Sequence, residues 1–155
     1  MTRDTGIKDA VENARALLRG IGYECGTTMD ELELWFQADT PYDQGVDLDF
    51  IVKVPLLVAH ELVEIEKVKA MGLRLTKDVI VKNMEKVDDA HLEATKVEMA
   101  LALSMRDVRH LNERMGDLRM WLEDPSVTAE NKRRYAALRE DTLQALAVME
   151  SEPGP

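Results

Sequence analysis

Apolar residues recur along this chain at the three-and-four spacing of an α-helix. Ile7, Val11, Ala14, Leu18 and Ile21 follow 4-3-4-3 steps, which predicts an amphipathic first helix closing near Gly20 and Gly22. Thr28-Met29-Asp30-Glu31 has the spacing of a capping box, so a short helix near 29–37 should follow, carrying Leu32, Trp35 and Phe36. Asp39 to Gly45 reads as a loop. The next helix runs to Met71 and stops at Gly72, with Pro55 either opening or kinking it. Thr76, with Asp78 two residues on, starts another. From there Ile80, Met84, Val87, His91, Ala94, Glu98, Leu101, Met105 and Val108 keep a strict 4-3 alternation. Unbroken to Glu123, that helix would span about 70 Å. A bend or break between Ser104 and Gly116 is therefore expected, or a dimer covering the protruding half. Asp124-Pro125 opens the last helix, striped by Tyr135, Leu138, Thr142, Ala145 and Met149.

Neither Gly nor Pro occurs between Gly72 and Gly116, and aromatics are only 5% of the chain. Both observations disfavour strands. The expected fold class is all-α: an antiparallel up-and-down bundle of four main helices plus the short one, since short connections make neighbouring helices antiparallel. A length of 155 residues fits one domain over 1–150, with a disordered tail at 151–155. The nine methionines fall at core spacing and read as packing.

Charge narrows the partners. A net charge of -10 repels phosphate backbones and anionic lipid, which argues against nucleic acid and membrane surfaces. The longest apolar run, Val54 to Ala59, is far short of the ~20 residues of a membrane helix. Met1-Thr2-Arg3-Asp4 carries no apolar signal core, so a cytoplasmic location is expected. A single cysteine, Cys25, excludes an internal disulfide and a multi-cysteine metal site.

The chemistry sits where polar residues interrupt the apolar stripes. With Glu61 at zero and about 100° per residue, Phe50, Val54, Leu57, Ile65 and Val68 fall close to it, so Glu61 reads as central in its stripe. Glu64 lies near it and His60 on the flank. An antiparallel turn centred near Arg74 sets Glu61 level with Asp88, and His91 about 6 Å further along the axis. Glu61, Glu64, Asp88 and His91 should then converge as ligands of a divalent cation, with His60 at the rim as general base or support. Glu98, about 10 Å beyond His91, should face the Asp47 to Asp49 segment or the first helix instead. Carboxylates suit Mg²⁺ or Mn²⁺, and an imidazole shifts preference toward Fe, Zn or Mn. The alternative use of the same residues is a buried Glu61–His91 pair with no metal.

His60-Glu61-Leu62-Val63-Glu64 resembles the zincin motif His-Glu-x-x-His, but Glu64 replaces the second histidine, which argues against a protease. Asp88-x-x-His91 is similar to half of a di-iron Glu-x-x-His motif, with no second copy. Asp107-x-x-His110 has that spacing off the stripe, which places His110 at the surface or a helix end. Glu61-x-x-Glu64 followed by Glu85-x-x-Asp88 resembles the Glu-x-x-Glu…Glu-x-x-Asp signature of all-α nucleoside triphosphate pyrophosphohydrolases of the MazG and dimeric dUTPase type, over residues 55–92. The resemblance implies Glu61, Glu64, Glu85 and Asp88 around Mg²⁺ ions on a nucleotide's phosphates, in an oligomer. By the helical count Glu85 lies on the polar side.

Two functions follow. One is a metal-dependent hydrolase acting on a small phosphorylated molecule, the reading that uses most of these side chains, here with self-association into a homodimer. The other is a non-catalytic assembly or interaction protein whose buried Glu/His pairs fix helix register.

Overall fold

The computed structural model describes residues 3–41 and 47–152. These form eight helices and no strand: α1 (Arg3–Gly20), α2 (Met29–Gln37), α3 (Leu48–Ile51), α4 (Pro55–Ala70), α5 (Val79–Lys82), α6 (Met84–Ser104), α7 (Val108–Glu123) and α8 (Ala129–Ser151). The all-α class follows from the breaker-free stretches. Contacts group the chain into two compact units, Met1–Leu101 and Ala102–Pro155, where the sequence suggests one domain over 1–150. Of the expected 151–155 tail, Ser151 belongs to α8 and Glu152 caps it. Residues 153–155, and most of the expected 39–45 loop, lie outside the described residues. No described helix is long and apolar enough to cross a membrane.

In the first unit, α1, α2 and α3 pack against α4. The α1 stripe is inward as the spacing predicts, with Ile7, Val11, Ala14 and Leu18 all buried. Gly22 (φ 79) ends it: Tyr23 N–H reaches back to Leu18 O and Gly22 N–H to Arg19 O, a Schellman closure. The strap that follows is pinned along α4. Tyr23 Oη donates to Glu66 Oε1 (3.0 Å), Gly26 N–H to Glu66 Oε2 (3.1 Å), and Thr27 Oγ1 to Leu62 O (2.8 Å). The capping box then forms in both directions: Glu31 N–H donates to Thr28 Oγ1 and Thr28 N–H to Glu31 Oε1. It starts α2, whose Leu32 and Trp35 go inward. Lys69 of α4 pairs with Glu31, tying the start of α2 to the end of α4.

Pro55 opens α4 at its first turn rather than kinking a longer helix. The residues before it make the separate α3, capped by the Asp47 carboxylate accepting from Phe50 N–H (2.9 Å). Phe50 is half exposed and therefore is not part of a continuous α4 stripe. Leu56, Val58, Ala59, His60, Leu62, Val63, Glu64, Ile65 and Val68 are all buried, so α4 is enclosed on nearly every side.

The long 76–123 stretch breaks twice. The single turn α5 ends at Asn83, whose side-chain amide donates back to Val79 O, and α6 starts afresh at Met84. The second break lies within the window expected from length. After Ser104, Asp107 N–H bonds Ala102 O and Arg106 N–H bonds Leu103 O, another Schellman closure, with Arg106 at φ 55 in the position usually held by glycine. Asp107 then caps α7 through His110 N–H (3.1 Å). His110 is thus near a helix end, as expected, but buried rather than at the surface.

In the second unit α7 and α8 pack together over Leu111, Leu118, Tyr135, Thr142 and Leu146, with the Trp121 and Tyr135 rings 5.5 Å apart. Methionine packs the interior less than its spacing suggests: Met99 is buried, whereas Met71, Met84, Met105 and Met120 are exposed.

A left-handed backbone costs a non-glycine residue about 1–2 kcal/mol, and the exposed Arg106–Glu152 ion pair returns only a few tenths of that. Arg106→Gly should raise unfolding stability by about 1 kcal/mol, read from urea unfolding midpoints. A loss of stability would show that the arginine side chain matters more than its backbone.

Candidate metal centre

Three acids and two imidazoles meet between α4 and α6. His60, one turn into α4, is 3% exposed, and both of its ring nitrogens face carboxylates. Nδ1 lies 2.7 Å from Glu98 Oε1, and Nε2 lies 3.2 Å from Glu64 Oε2, one turn further along α4. Glu98 has no exposed surface and Glu64 is 6% exposed. Glutamates are almost never this buried unless paired, and here the partner is one imidazole shared by two of them. The His91 ring meets the His60 ring edge-on, centroids 5.0 Å apart.

Glu61 is held from the other side. Its Oε2 accepts the indole N–H of Trp35 at 3.2 Å, across the α2–α4 contact. Ligand atoms of His60, Glu61 and Glu64 all lie within 4.8 Å of one another. That spread fits a cation once the side chains close by a fraction of their reach, since ligand–metal distances near 2.0–2.2 Å put ligand atoms roughly 3–4 Å apart. One imidazole and two carboxylates form a mixed nitrogen–oxygen set of the kind that holds Mn, Fe or Zn.

Electrostatics make His60 a cation in the metal-free protein. Burial pulls its pKa down, but its hydrogen bonds to Glu64 and Glu98, and their charges, outweigh that and push it up to about 10. The imidazolium then donates from both nitrogens, and charge and hydrogen bonds are satisfied together.

The arrangement differs from the sequence expectation in four respects. His60 lies at the centre, not the rim, and with both nitrogens engaged it is not placed as a general base. Glu98, expected to face Asp47 to Asp49 or α1, is the shortest partner of His60. Glu61 is only half-buried, so it is not central in its stripe. A buried acid–imidazole group forms around His60, with Glu98 and Glu64, where the expectation was Glu61 with His91. The axial count assumes a tight turn near Arg74 joined to one continuous helix, whereas α5 and the break at Asn83 stand between α4 and α6. Of the four predicted ligands, Glu61 and Glu64 share the cluster with His60, and His91 abuts it through the ring contact. Asp88 is half-buried on α6 and Glu85 is exposed; neither is among the three clustered donors. Trp35 carried no sequence signal beyond its apolar position in α2.

Comparisons of the chain with protein-family models, with curated proteins and with solved structures found no match.

Removing one partner of a buried ion pair costs about 3–5 kcal/mol, so Glu98→Ala should lower unfolding stability by roughly that amount, measured by denaturant unfolding. The raised His60 pKa also fixes a pH dependence. Its unfolded value is 6.5 and its folded value about 10, so the protonated form is favoured by the fold. Its contribution is complete below about pH 6.5 and is lost as pH rises toward 10. The urea midpoint of the protein in EDTA should fall steadily from pH 7 to pH 9. A flat profile would mean that His60 is neutral in the folded state.

Proposed function

We propose that His60, Glu61 and Glu64 hold a divalent cation and that the protein is a metal-dependent hydrolase of a small phosphorylated substrate. The observation that carries this reading is the order Glu98, His60, then Glu61 and Glu64. One imidazole nitrogen bonds to the Glu98 carboxylate and the other faces Glu64, with Glu61 in the same group of donors. Ligating histidines are commonly oriented in this way by an acid behind them. A cation held by His60 and Glu64 would need the imidazole neutral, so its binding would release the proton His60 carries. Three protein donors leave coordination positions for water and substrate. The cation supplies polarisation of a phosphoryl oxygen and a more acidic bound water, and it lets a phosphate approach a chain of charge -10. His91, whose ring meets that of His60 from α6, stands where a further ligand would come from. The resemblance to the all-α pyrophosphohydrolases supports a nucleoside triphosphate as the substrate class, with the metal set narrowed from its four carboxylates to Glu61 and Glu64.

A second reading has its own support: both nitrogens of His60 are already bonded to buried carboxylates. In that reading the cluster fixes how α4 and α6 meet, no ion binds, and the protein is an assembly or interaction protein acting as a homodimer.

Metal content and thermal stability separate the two. For the hydrolase, purified protein contains a divalent metal, EDTA lowers Tm, and Mn²⁺, Zn²⁺ or Mg²⁺ restores it. Ligand at a hundredfold excess over Kd adds about 2.7 kcal/mol to stability. Glu64→Gln should abolish both the metal response and phosphate or pyrophosphate release from a nucleotide panel. A Tm indifferent to every divalent ion rejects the metal reading and leaves the structural one, for which light scattering should give a dimer mass.

A further inference from the structure

On the reading that His60, Glu61 and Glu64 hold a cation, we propose that Trp35 determines which cation is accepted, by keeping Glu61 a one-oxygen ligand. The indole is fixed from three directions. The capping box sets the start of α2, the Glu31–Lys69 pair ties that start to α4, and Leu32 beside it is completely buried. Trp35 itself is 6% exposed, and its N–H, a donor with no acceptor capacity, is spent on Glu61 Oε2 at 3.2 Å. A carboxylate bonded through one oxygen to a rigid donor has its plane fixed, and is not free to turn both oxygens onto one ion.

That distinction separates cation classes. Ca²⁺ collects 6–8 oxygens and commonly takes carboxylates through both. Transition ions accept fewer donors, one oxygen from each carboxylate, and favour an imidazole nitrogen. A Glu61 restrained to one oxygen, next to His60, therefore selects an ion such as Zn²⁺ against Ca²⁺. Trp35 acts through Glu61 and is a positioning residue; it does not touch the ion.

The test is calorimetric titration of the full chain with Zn²⁺ and with Ca²⁺, for the wild type and for Trp35→Phe, which keeps the ring and loses the N–H. The wild type should bind Zn²⁺ at least about tenfold more tightly than Ca²⁺. Trp35→Phe should weaken Zn²⁺ binding by about 10–100-fold without weakening Ca²⁺, so the ratio between the two collapses. A general structural defect would lower both affinities together and would overturn the inference, as would a variant with both wild-type affinities; in either case the wild-type Zn²⁺ site stands. A wild type that binds neither ion rejects the cation reading itself. Should Trp35→Phe fail to fold, Trp121→Phe leaves Trp35 as the single indole of the chain. Its emission should then change and saturate with bound Zn²⁺. Unchanged emission on Zn²⁺ binding overturns the role assigned to Trp35.

Discussion

An imidazole buried with an acid on each ring nitrogen constrains everything around it. His60 can be charged in the interior only because Glu98 and Glu64 share its two protons, and those glutamates can be buried only because His60 is there. Each group alone would carry a large desolvation cost. Together they require α4 and α6 to meet in one way, because sliding α6 by a turn would leave a carboxylate and an imidazole facing apolar side chains. The same demand that fixes the packing also assembles a set of donors suited to a cation.

The rest of the first unit supports that meeting. The strap from Gly22 to Thr28 is bonded to Leu62 and Glu66, one turn and less from Glu61 and Glu64 on the same helix. It carries the capping box that starts α2, and α2 delivers Trp35 to Glu61. Local signals therefore reach the centre in steps: a glycine at positive φ turns the chain, three side-chain bonds hold the strap, and a cap sets the rotation of a nine-residue helix. Through Leu62, Glu66 and Glu61 these residues fix the surroundings of His60's neighbour.

Breaks in regularity matter as much as the helices. Asn83 and Arg106 divide a stretch whose apolar alternation alone would read as one helix. At Arg106 the backbone enters the left-handed region without a glycine, so the sequence gives no glycine to mark the turn. At Asn83 a single helical turn is set off from α6.

Periodicity and capping chemistry determined the helical class, the α1 stripe, the capping box of α2 and the stop of α4 at Gly72, because those depend on residues within a turn or two of one another. The sequence also marked His60, Glu61, Glu64 and His91 as polar residues out of place in apolar surroundings. Which of them meet was decided by tertiary structure. A helix such as α4, apolar on nearly every side, carries no phase from which an inward direction can be read, so Glu61 looked central while His60 went inside. The partnership of residues 38 apart in sequence, His60 and Glu98, depends on the axial offset between two helices, and that offset is set by connections whose geometry no spacing rule encodes.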